Sequence, residues 1–93
     1  MEIKEELKKE TEKWFKKIKK VKLIAKNEKG EEYKKNIMAY IEDSKHFFEK
    51  GDFIRAFEAV IWAWAFLEIS LDLKLLEIEN YESGKIAQKI SII

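Results

Sequence analysis

Apolar residues recur along this chain in steps of three and four, and the rhythm breaks at a few polar clusters. The first series is Ile3, Leu7, Trp14, Ile18, Val21 and Ala25. Its spacing is helical and close to a heptad, which predicts a first helix over residues 3–26. Glu5 with Lys9 and Glu12 with Lys16 place opposite charges four apart on its wet face, a weakly stabilising arrangement. Asn27 to Gly30 reads as a turn. A second helix is expected over residues 31–50, with Tyr33, Ile37, Tyr40, Ile41, Ser44, Phe47 and Phe48 on one face. Lys50 followed by Gly51 is a cation in a last turn and then a glycine past a helix end. Asp52 comes next and is a good N-cap. Adjacent stop and start signals force a short connection, so the second and third helices should form an antiparallel hairpin.

The third helix, expected over residues 53–78, has an unusual pattern. One stripe is Phe53, Phe57, Val60, Trp64, Leu67, Leu71, Leu75 and Ile78. A second stripe, Trp62, Phe66, Ile69, Leu73 and Leu76, falls about 180° around the axis at ~100° per residue. A helix in a small bundle needs one broad apolar face rather than two opposed ones. Either the first helix or the tail wraps over the second stripe, or the stripe is a protein–protein surface. The second reading is preferred, with Trp62, Phe66, Ile69, Leu73 and Leu76 as the interaction surface and a homodimer or another helical protein as partner.

The pattern predicts an all-α, up-and-down three-helix bundle forming a single domain over residues 1–93, ending in a short tail at residues 83–93. Composition agrees. The chain is 46% hydrophobic, enough for a packed core despite 40% charged residues. No cysteine occurs, which removes disulfides, thiolate metal sites and cysteine nucleophiles and fits a reducing cytoplasm. Residues 1–22 are charged throughout, unlike a secretory signal. The longest apolar run, Ala59 to Leu67, is far short of the ~20 residues that span a membrane. Abundant Lys and Glu, with Arg55 the one Arg and Gln88 the one Gln, is a composition typical of heat-loving organisms.

Net charge is +1, but it is unevenly spread. Residues 1–22 hold nine Lys and five Glu, whereas residues 42–82 hold four basic and ten acidic side chains. Such asymmetry favours attraction between segments or between copies.

The stretch Tyr40 to Leu71 resembles an archaeal family known as domain of unknown function 357. The matching residues are Asp43, Gly51, Asp52, Ala56, Phe57, Glu58, Ala59, Ala63 and Leu67. After Trp62 the chain departs from the family's habit of Tyr-Ala followed by Gly and Leu-Asp-Ala. It has Trp62-Ala63, Ala65 and Leu67-Glu68-Ile69 in those places. The resemblance implies an up-and-down three-helix bundle and supplies no activity.

Candidate chemistry is sparse. Glycine-rich phosphate loops, Ser/His/Asp sets and His/Cys metal spacings are absent from the sequence. No catalytic, metal or cofactor site is therefore expected, and no small-molecule ligand is inferred. His46 is the one histidine; Asp43-x-x-His46 is half of a bundle di-metal motif, and the other half is missing. Val60 stands where a helical ribonuclease of the Arg-x4-His type would have its histidine after Arg55. Asp43, Glu58 and Glu68 are the remaining polar candidates; for Glu58 and Glu68, ion pairing with lysines of the first helix is the preferred role. The lysine-rich first helix, with Trp14 and Phe15 for stacking, offers an alternative function as a nucleic-acid-binding accessory protein. The single Arg argues against base readout, and a solvated lysine face is the preferred explanation. The function expected is a non-enzymatic interaction module.

Overall fold

The computed structural model describes residues 3–79. Three helices form in the expected order: α1 (Ile3–Lys19), α2 (Glu28–Glu49) and α3 (Phe53–Asp72). Two short strands, β1 (Leu23–Ala25) and β2 (Leu76–Ile78), join them. The result is an all-α bundle carrying a small antiparallel ribbon, in which Leu23 pairs with Ile78, Ile24 with Glu77 and Ala25 with Leu76. The expected tail at residues 83–93 lies outside the described residues.

The ribbon corrects two predicted boundaries. The first helix stops at Lys19 rather than 26, where the Lys20 and Val21 amides tighten onto the Lys17 and Ile18 carbonyls at 3.2 and 3.1 Å. The third stops at Asp72 rather than 78. Its last turn is closed by the Leu75 amide donating to Ser70 O (2.9 Å) and the Lys74 amide donating to Leu71 O (3.1 Å). That is the hydrogen-bond pair of a Schellman cap, built with Lys74 at φ 59° where glycine is usual. The same cap ends α2, this time with Gly51 at φ 81°.

A third correction concerns Gly30. It lies in the first turn of α2, not between helices, because Asn27 is the N-cap and its Oδ1 accepts from the Gly30 amide at 2.8 Å. A Cβ there would collide with the Leu75 carbonyl oxygen. That carbonyl also accepts from the Lys26 amide at 3.0 Å, so glycine allows the ribbon to seat against α2.

The α2–α3 hairpin forms as the adjacent signals require, with Asp52 capping α3 through the Arg55 amide at 3.2 Å. Ala56, Ala59, Ala63 and Ser70 give α3 a buried stripe of small residues. Close approach there lets Ser44 Oγ donate to Ala56 O at 2.7 Å. α1 packs mainly on α3. Trp14 meets Trp64 edge-to-face, ring centroids 5.8 Å apart, and Trp64 Nε1–H donates to Trp14 O at 3.1 Å. Ile18, Ile37, Ile41, Val60, Leu67 and Leu76 complete the core.

Candidate interaction surface

α3 buries Val60, Trp64 and Leu67 and turns Trp62, Ile69 and the cap residue Leu73 outward, at 55, 44 and 58% exposure. Phe66, on the same stripe, is half-buried. Leu76 does not belong to this surface. It is 2% exposed, because the helix has ended and β2 alternates Leu76 inward and Glu77 outward.

α2 adds two aromatic rings to the stripe. Tyr40 stacks on Phe66 (centroids 5.5 Å, planes 18° apart) and on Trp62 (6.3 Å, 21°). Tyr33, one heptad earlier, meets Phe66 edge-on at 5.9 Å. Trp62 and Phe66 are themselves 6.2 Å apart. Four rings therefore form a continuous ridge along the α2–α3 seam, extended by Ile69 and Leu73. The sequence pattern assigned both tyrosines to the core face of the second helix. Their seven-residue spacing at the edge of that face, with a hydroxyl on each, was the available signal for a boundary position.

Charged residues next to the stripe or one turn along it on each helix set the rim. Glu32 and Asp43 flank the tyrosines on α2, and Glu58 and Asp72 flank Trp62 and Ile69 on α3; all four are exposed. Lys29, paired with Glu32 at 3.6 Å, Arg55, paired with Asp52 at 3.7 Å, and exposed Lys74 beside Leu73 bring cations to the same rim. The rim is of mixed charge.

The three polar candidates are not brought together. Asp43 is exposed on α2, and Glu58 and Glu68 lie ten residues, or about 15 Å, apart along α3. Glu68 is half-buried, with its Oε2 atom lacking a hydrogen-bond partner. The expected pairing of Glu58 and Glu68 with lysines of α1 is not found among the described residues. The described ion pairs are Lys26–Glu77, Lys29–Glu32 and Arg55–Asp52. Among the described residues no three potential ligands converge as a metal site would require. His46 is exposed, edge-on to Phe47.

The lysines of α1 lie over the protein's own rings. Lys13 and Lys17 sit 5.3 and 4.6 Å from the Trp14 ring centroid, and Trp14 is buried. A base cannot stack there without opening the core. Phe15, the other ring proposed for stacking, lines a groove of about 280 Å³ between α1 and α2, together with Thr11, Ser44 and Phe48. No described helix is long and apolar enough to cross a membrane.

The family model for Protein of unknown function (DUF357) matches residues 7–76. The chain belongs to this family. A DUF357 protein from Archaeoglobus fulgidus, solved by crystallography, is similar in sequence and fold, with 45% identity and a TM-score of 0.74. The alignment covers 83% of this chain and 99% of the Archaeoglobus chain. None of the curated proteins matches. The expected resemblance is thus confirmed, and the DUF357 match extends well beyond the hairpin stretch that first carried it.

Proposed function

We propose that this DUF357 protein is a non-enzymatic, cytoplasmic interaction module that pairs with a second copy of itself through the Tyr33, Tyr40, Trp62, Phe66, Ile69 and Leu73 ridge. The observation that carries the reading is the exposure of Trp62, Ile69 and Leu73 along one stripe of α3 that the rest of the described chain leaves uncovered. Contiguous apolar patches of this kind mark interaction sites or aggregation liabilities.

Magnitudes set the strength to expect. Fully burying one large apolar side chain contributes about 1.5–3 kcal/mol. Trp62, Phe66, Ile69 and Leu73 are already about half covered, so a symmetric pair gains roughly 6–12 kcal/mol from both copies. Association costs about 4–15 kcal/mol. The surplus reaches the ~8 kcal/mol of a micromolar dimer only at the favourable end of both ranges, so a weak, concentration-dependent pair is expected rather than a permanent one.

Sedimentation at near-physiological salt tests this. The parent chain should move from monomer to dimer as concentration rises through the micromolar range. Trp62→Glu with Leu73→Glu should remain a folded monomer throughout. A parent that stays monomeric at several hundred micromolar, judged against the cost range above, would end the self-association reading.

A further inference from the structure

The outward stripe of α3 is self-complementary when a second copy runs the opposite way. Trp62, Phe66, Ile69 and Leu73 are spaced by four, three and four, a series that reads the same from either end. A two-fold axis crossing α3 between Leu67 and Glu68 sets Trp62 level with the partner's Leu73. It also sets Phe66 level with the partner's Ile69. From Trp62 to Leu73 the contact runs about 16 Å along the axis.

Size favours this direction. Each meeting joins a larger side chain to a smaller one: exposed Trp62 lies against exposed Leu73, and half-buried Phe66 against Ile69. Tyr40, stacked on both Trp62 and Phe66, is carried beside the same two partner residues. In a parallel pair each residue would meet its own copy. Two indoles would then hold the helices apart at one end while leucine faced leucine at the other, and the gap forfeits contact.

Charge favours the same direction. Glu58 lies one turn before Trp62, and Lys74 follows Leu73; both are exposed, and neither is in an ion pair among the described residues. In the antiparallel register Lys74 comes level with the partner's Ile61, about 4.5 Å along the axis from the partner's Glu58. A lysine side chain, with four methylenes before its ammonium, spans that distance. Symmetry makes the pair twice. A parallel arrangement sets Glu58 level with Glu58 and Asp72 level with Asp72, like charge facing like.

Building on the self-association reading, we propose that two copies pair antiparallel across α3, with Trp62 on the partner's Leu73 and Phe66 on the partner's Ile69. Lys74 on the partner's Glu58 is the charge pair that fixes direction and register.

Charge exchange, read by sedimentation at low salt, tests the register. Lys74→Glu alone should weaken pairing about ten-fold, since both exposed pairs turn repulsive, and Glu58→Lys alone should do the same. An equimolar mixture of the two variants should pair as tightly as the parent, because every crossing contact is again of opposite sign. Recovery in the mixture cannot arise from damage to either fold. Salt at about 1 M should level these differences. A parent that pairs while the mixture stays as weak as its components overturns the antiparallel register and leaves the proposed function standing. So does preferential pairing of Glu58→Lys with the parent chain, the signature of a parallel pair. A parent that never pairs ends both readings.

Discussion

Gly30 shows why one residue type can mislead. Glycine serves as a conformational hinge at Gly51, where φ is positive, and as a space-saver at Gly30, where the Leu75 carbonyl passes overhead. A sequence does not separate the two uses, because the steric partner is more than forty positions away. Alanine is intrinsically the better helix former by about 1 kcal/mol. Gly30→Ala should nevertheless destabilise the fold by about 1–3 kcal/mol, the usual cost of forcing atoms into a filled site. A urea midpoint that stays level or rises would mean that the ribbon moves aside at little cost. Lys74 presents the converse case. It takes the left-handed position that glycine usually fills, so nothing in the residue types announced that α3 was ending.

At the scale of elements, the second helix and the start of the third were readable to within a few residues because stop and start signals sat side by side at Lys50, Gly51 and Asp52. The strands were not readable. Three residues are too few for a two-step alternation to stand out, and Leu71, Leu75 and Ile78 continue the helical rhythm across the break. That same rhythm placed Leu76 on the outer stripe, whereas the ribbon rotates it into the core. Leu73 and Leu76, three positions apart, should therefore respond oppositely. Leu76→Ala should lower stability by about 2–5 kcal/mol, as for a buried leucine. Leu73→Ala should change it by less than about 0.5 kcal/mol. Denaturant titration of the two variants side by side checks the assignment; equal losses would refute it.

Considered whole, the molecule is a two-helix hairpin with α1 on one side and bare rings on the other. Two opposed apolar stripes on the third helix were the sequence's clue to that lopsidedness, and at Trp62, Phe66 and Ile69 the stripe lies where the spacing put it. The tyrosines that complete the ridge were less legible, since an aromatic ring at the border of an apolar face counts equally well as core or as surface. The charge asymmetry was legible as a number but not as pairs. The basic first helix spends Lys13 and Lys17 on the Trp14 ring instead of on acidic neighbours.

The ribbon links residues about fifty positions apart by three facing pairs. Such a clasp closes a long loop for few bonds, and its backbone sits at the surface, so it is suited to yield before the hairpin does. Amide hydrogen exchange should then find the Lys26 and Glu79 protons swapping with solvent well ahead of those at Ile41 and Val60. Equal rates would mean that the clasp and the helical pair come apart as one unit.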